Sequence, residues 1–126
     1  MRKRILALLV GLLVATPVFG NSDLITASFT TATTGASVIT CASTNYLKII
    51  SVEVVVSGGG TAIGYIHKEG TRSTTNTLMR FALPSNLPLV KYFADVLTAK
   101  DEGIEIDLSS IGGSTTAVVT IEYREF

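Results

Sequence analysis

The sequence predicts an all-β protein: a small antiparallel β-sandwich or jelly-roll-like domain behind an N-terminal signal or anchor helix. Three observations predict it. Apolar residues recur at every second position in a series of strand-length runs. The segments between those runs are rich in Gly, Pro, Asn and Ser, which turn the chain. Beyond the N-terminal segment, no stretch has an unambiguous helical period.

The clearest run is 47–56. Ile50, Val52, Val54 and Val56 form one row, and Ile49, Ser51, Glu53 and Val55 form the other. One face is apolar and the other mixed, and valine and isoleucine dominate, as a central strand requires. Ser57-Gly58-Gly59-Gly60 ends it. Residues 62–68 then alternate, with Ile63, Tyr65 and His67 opposite Ala62, Gly64 and Ile66. Two such runs joined by a short glycine link are expected to pair as a hairpin. Residues 69–76 hold no apolar side chain and read as an exposed loop.

The run 77–83 points Met79, Phe81 and Leu83 inward and Arg80 outward, and Pro84 and Pro88 close it. Residues 89–99 are ambiguous. Leu89, Phe93 and Leu97 recur at helical spacing, while Val90, Tyr92, Ala94 and Val96 alternate. In a chain otherwise made of strands, the strand reading is preferred. Ile104, Ile106 and Leu108 alternate with Glu105 and Asp107, and 117–123 supplies the last strand. Upstream, 23–29 and 37–41 are short, weakly patterned strands in a Thr/Ser-rich stretch.

These readings divide the chain into a signal peptide or membrane anchor (1–20), an extended arm with short strands (21–45) and a sandwich domain (46–126). Met1-Arg2-Lys3-Arg4 is a positive lead, 5–15 is uninterrupted apolar sequence, and Pro17 breaks it ahead of small residues ending at Gly20. The expected location is therefore exported: periplasmic, extracellular or virion-associated. Membrane contact is expected only through 1–20, if that segment stays uncleaved. Removing twenty of the 126 residues leaves 106, one domain's worth. Arg2, Lys3 and Arg4 leave with it, so seven basic residues face ten acidic ones, a net −3. No basic face remains for a nucleic acid. Cys41, the single cysteine, allows no intrachain disulfide and is expected to be buried and inert.

No catalytic residue, cofactor or metal is expected. His67 is the only histidine; with Glu69 it makes two ligands, too few for a metal. A hydrolase triad would need the same histidine and a Gly-x-Ser-x-Gly elbow, which the sequence lacks. Asp101, Glu102, Glu105 and Asp107 are the densest carboxylates, but their spacing is not that of an EF-hand loop. Glu105 and Asp107 instead read as charges on a solvated strand face. Tyr65, Tyr92, Phe93 and Tyr123 could form a sugar platform or simply pack on the sheets. The residues expected to touch a ligand or partner are Tyr65, His67, Arg72 and Tyr92.

The stretch Leu97-Thr98-Ala99-Lys100-Asp101-Glu102-Gly103-Ile104-Glu105-Ile106-Asp107-Leu108-Ser109, followed by Ala117-Val118-Val119-Thr120-Ile121-Glu122-Tyr123, resembles the last two strands of small β-sandwich domains in phage virion proteins. These are capsid accessory, fibre or tail-associated modules. The 47–56 run, its glycine turn and 62–68 are similar to their opening hairpin, so the resemblance spans 45–126. It implies a non-enzymatic domain that assembles as a multimer. Two functions are thus expected of the chain. The first is an exported structural subunit of a virion-like particle or surface filament, a homo-oligomer or a partner of other structural subunits, its arm pairing with a neighbour's sheet edge. The alternative is a glycan- or receptor-binding module that uses the 69–76 loop and nearby tyrosines.

Overall fold

The computed structural model describes residues 13–18 and 22–126. Nine strands run in order: β1 (Leu13–Val18), β2 (Ser22–Phe29), β3 (Thr33–Ile39), β4 (Leu47–Ser57), β5 (Thr61–Lys68), β6 (Thr77–Pro84), β7 (Leu89–Leu97), β8 (Ile104–Ile111) and β9 (Thr116–Glu125). They form two antiparallel sheets, ordered β1-β2-β9-β4-β7 and β3-β8-β5-β6. Among the described residues there is no helix.

The pairings nest. β5 pairs with β6, β4 with β7, β3 with β8 and β2 with β9. A long hairpin rolled around a core gives this order, the jelly-roll form of the sandwich. Its tip is the connection between β5 and β6, residues 69–76.

Burial follows the pleat. In β9, Ala117, Val119, Ile121 and Tyr123 point inward at every second position. In β6, Met79, Phe81 and Leu83 do the same. Ile25, Phe29, Leu47, Ile49 and Val52 of one sheet pack with Ile66, Phe81, Ile104, Ile106 and Leu108 of the other in a single core. Each large side chain so buried contributes about 1.5–3 kcal/mol of transfer free energy. Residues 89–97 are a strand, as the alternation suggested. Leu89, Phe93 and Val96 pack partly against the core, while Val90 and Tyr92 face out.

Four expectations are revised. β4 and β5 are not a hairpin, because they lie in opposite sheets and 57–60 crosses between them. Alternation states which face of a strand is buried, not which strand it pairs with.

The buried row of β4 also changes phase. A bulge between Ile49 and Ser51 inserts Ile50 opposite consecutive residues of β9. Leu47 and Ile49 therefore point inward before it, and Val52, Val54 and Val56 after it. An extra residue flips the pleat, so the row containing Ile50 is split. Beyond the bulge the outer face is wet. Ser51 Oγ donates to Glu122 Oε1 at 3.3 Å, Ser22 Oγ to Glu122 Oε2 at 3.0 Å, and the Thr26 and Thr120 hydroxyls lie 3.2 Å apart.

Within the expected arm of 21–45, residues 22–45 are not outside the sandwich. β2 is hydrogen-bonded to β9 from Asp23 to Phe29, and β3 to β8. Ile25, Phe29, Val38 and Ile39 are core residues. The low apolar content of this stretch hid two strands that need only one buried row each. Finally, Leu13–Val18, expected within a signal or anchor helix, is a strand antiparallel to β2. The rest of that expectation, on residues 1–12 and 19–20, lies outside the described residues.

Candidate functional site

The outer face of the four-stranded sheet carries a group of interacting charges, His67, Arg72 and Asp107, among the described residues. Register puts Tyr65 of β5 between Arg80 of β6 and Asp107 of β8, and pairs His67 with Glu105. The 69–76 loop folds back over this row.

The loop is tied down locally, since it has no apolar residue to anchor it. Asn76 is the knot. Its amide nitrogen donates to the Lys68 and Thr71 carbonyls, and its side-chain oxygen accepts from the Ser73 N–H at 2.7 Å. The Thr77 hydroxyl donates to the Ser73 carbonyl at 2.6 Å. Side chains that bond nearby backbone in this way fix turns without a core.

Arg72 at the loop's crest reaches down to the sheet. Its Nε donates to Asp107 Oδ2 at 3.0 Å, and its guanidinium carbon lies 3.7 Å from the Tyr65 ring centroid. Arg80 approaches the same ring at 5.9 Å. Arg80's guanidinium and then Arg72's hold the Tyr65 phenol below its ordinary range.

Asp107 is the hub. Oδ1 accepts from the Gly35 N–H at 2.7 Å and from His67 Nε2 at 3.1 Å, while Oδ2 accepts from Arg72. Burial by itself would raise this carboxyl. The Gly35 amide, His67 and Arg72 together outweigh it and hold the group below the usual range. The Gly35 amide is available because β3 is bulged there, with Gly35 at φ 66°. Glycine adopts that left-handed backbone without cost. Glu105, half-buried on the same face, is pushed the other way, chiefly by its burial.

His67, in the same row of β5 as Tyr65, is 1% exposed. It points to the outer face, but the loop and its neighbours cover it. Its Nδ1 donates to the Lys68 carbonyl at 2.7 Å, so both ring nitrogens face acceptors. Neither is free to take a proton from a nucleophile or substrate.

Arg72 divides two adjoining cavities. One, of about 410 Å³, is lined by Thr34, Gly35, Gly70, Thr71, Glu105 and Asp107 beside Arg72. The other, of about 540 Å³, is lined by Tyr65, Arg72, Ser73, Thr74, Thr77 and Arg80. The second holds two guanidinium groups, a phenol and three hydroxyls, with no carboxylate. Its size falls within the range of small-ligand pockets.

Three of the four residues expected from sequence, Tyr65, His67 and Arg72, thus come together. The fourth, Tyr92, does not: it is 78% exposed on β7, an edge strand of the other sheet. The aromatic platform is not assembled either, since Tyr123 is fully buried and Phe93 packs toward the core.

The four carboxylates separate as well. Asp101 and Glu102 belong to the turn before β8, where Glu102 Oε1 caps the Ala99 N–H at 2.7 Å. Asp107, expected as a solvated charge, is buried and fully engaged. Among the described residues no three His, Cys, Asp or Glu are grouped to hold a metal ion. Cys41 is buried, and desolvation, with Glu125 nearby, raises its thiol to about 11.

Sequence reasoning missed Arg80 and Asp107 as members of this site. Their outward positions were legible, but strand pairing was not.

Compared with known proteins, the chain matches no family model and no curated protein. Among solved structures it is similar to a carbohydrate-binding module, CBM36, described in complex with calcium and xylotriose. The identity is 20%, the TM-score 0.41, and the match covers 98% of this chain and 99% of that one. That likeness is loose, and the site is read from its own residues.

Proposed function

We propose that this chain is a non-catalytic saccharide-binding module that holds its ligand in the cavity over Tyr65. The observation that carries the reading is the cavity's lining. The Tyr65 ring, with the Arg72 guanidinium 3.7 Å over it, supplies a planar floor, Ser73, Thr74 and Thr77 supply hydroxyls, and Arg72 and Arg80 supply forked donors. Sugars are bound by such mixtures of ring surface and many short hydrogen bonds.

The floor is pre-shaped rather than assembled on binding. Arg72 is pinned by Asp107, and the loop bearing the hydroxyls is knotted by Asn76. Preorganisation of this kind lowers the entropy lost when a ligand docks. Against catalysis stands the state of the one histidine, spent on Asp107 and the Lys68 carbonyl.

A glycan array probed with the wild-type chain, Tyr65→Ala and Tyr92→Ala tests the reading. Binding is expected to survive Tyr92→Ala and to be lost in Tyr65→Ala. Equal loss in both, or no bound glycan at all, would remove the proposal.

A second reading, a subunit of a self-assembling particle or filament, draws support from the opposite side of the molecule. Leu87, Val90, Tyr92 and Leu97 are large apolar residues exposed on or beside edge strand β7. Clustered exposed apolar side chains commonly mark contact surfaces. Light scattering on the eluting chain tests this: a monomer at millimolar concentration would count it out.

A further inference from the structure

Resting on the saccharide-binding reading above, we infer that the ligand is anionic, with a carboxylate or sulfate group clamped between Arg72 and Arg80. The argument is one of unneutralised charge. Arg80 is exposed on β6, and among the described residues no carboxylate lies within ion-pair distance of it. Arg72 gives its Nε to Asp107, and its side chain lines the same cavity as Arg80.

The acidic groups of this face, Glu105 and Asp107, line the neighbouring cavity on the far side of Arg72. The cavity over Tyr65 is therefore a positively charged recess in a chain whose sequence carries equal numbers of acidic and basic residues. The lowered phenol of Tyr65 reports the same local excess of positive charge.

Two guanidinium groups, 3.7 and 5.9 Å from one ring centroid and lining one cavity, present forked N–H pairs, the geometry that carboxylate and sulfate oxygens accept. The hydroxyls fit the rest of a sugar. Thr77 donates its proton to the Ser73 carbonyl and so offers lone pairs to a ligand hydroxyl. Thr74, at the rim, is exposed. A neutral sugar would leave Arg80 facing water with no anion beside it.

The test is calorimetric titration of the full chain with three oligosaccharides of matched length, one neutral, one uronate and one sulfated, plus inorganic sulfate as control. At least one acidic oligosaccharide is expected to bind roughly tenfold or more tighter than the neutral one, as charge-assisted hydrogen bonds imply. That preference is expected to shrink at high salt and to vanish in Arg80→Gln. Arg80 is exposed on its strand, so unchanged thermal unfolding of this variant certifies its fold. Which acidic sugar wins identifies the group, carboxylate or sulfate.

Equal binding of the neutral oligosaccharide, unaffected by Arg80→Gln, would overturn the anionic inference and leave the saccharide reading intact. Binding of no oligosaccharide would overturn both. Inorganic sulfate binding as tightly as the sulfated sugar would reduce the site to a simple anion site and overturn the saccharide component.

Discussion

Removing Asp107 should dismantle the site and measurably weaken the whole domain. In Asp107→Ala, three donors lose their acceptor: the Gly35 N–H, His67 Nε2 and Arg72 Nε. Their costs differ with exposure. Arg72's side chain is 38% exposed and can rehydrate, so its share is about 0–1 kcal/mol. His67 is 1% exposed and cannot, so a buried donor is left unmet at about 1–3 kcal/mol. The Gly35 amide is exposed and adds little.

The total is about 3 kcal/mol, the lower end of what breaking a buried pair costs. For a chain of this size that corresponds to a fall in Tm of roughly 10 °C. The assay is urea unfolding followed by circular dichroism, since the sequence has no tryptophan. The midpoint should fall while the m-value stays constant. His67→Phe/Asp107→Ala should recover part of the loss, because the stranded donor is gone. If Asp107→Ala costs less than about 0.5 kcal/mol, the hub is an ordinary surface charge and the reasoning fails.

Four other outcomes follow from the same structure. Because Asp107's carboxyl is depressed in the fold, its stabilisation is present above the ordinary Asp range and is lost as pH falls through the folded value. Acid titration of unfolding should show a limb that Asp107→Asn removes. Glu105 has the opposite sign: its raised folded pKa favours the fold at low pH and penalises it above. Glu105→Gln should therefore be neutral to stabilising at pH 7, with the gain vanishing below pH ~4, read by thermal unfolding across pH.

Gly64 lies on the inner face beneath Tyr65, where an added Cβ would sit 2.6 Å from Phe81 Cζ and 2.9 Å from the Asp107 carbonyl oxygen. Gly64→Ala is expected to cost roughly 1–3 kcal/mol by overpacking and to weaken ligand binding with it, measured by urea unfolding and titration. Cys41, buried with its thiol raised to about 11, should resist a thiol reagent at pH 8 and react only on unfolding. Labelling of the native chain followed by mass measurement checks it.

Much of the fold was legible in residue order. Arg80 was assigned outward and Met79, Phe81 and Leu83 inward, and 62–68 and 117–123 were each split into two opposed rows, because the pleat has a period of two whatever the sheet. What escaped is what depends on a second strand. Ile50's bulge is invisible in its own strand, since it is defined by the register with Tyr123 and Glu122. The β4–β5 link was read as a hairpin because four turn residues suit either a hairpin or a crossing between sheets. Asp107 was read as solvated because its sequence neighbours alternate correctly; its burial comes from a loop crest 35 residues away.

By itself, then, the sequence determined an all-β chain, the alternating faces of several strands, the exposed 69–76 loop and the burial of its cysteine. These rest on local alternation and turn chemistry, which neighbouring residues dictate. Only the tertiary structure decided that the pairings nest into a jelly roll, and that Arg72, Tyr65, Arg80, His67 and Asp107 share one face. The jelly roll brings β5, β6 and β8 side by side from positions far apart in the chain. Period-two patterning carries no information about that partnership, and the site exists only where those strands meet.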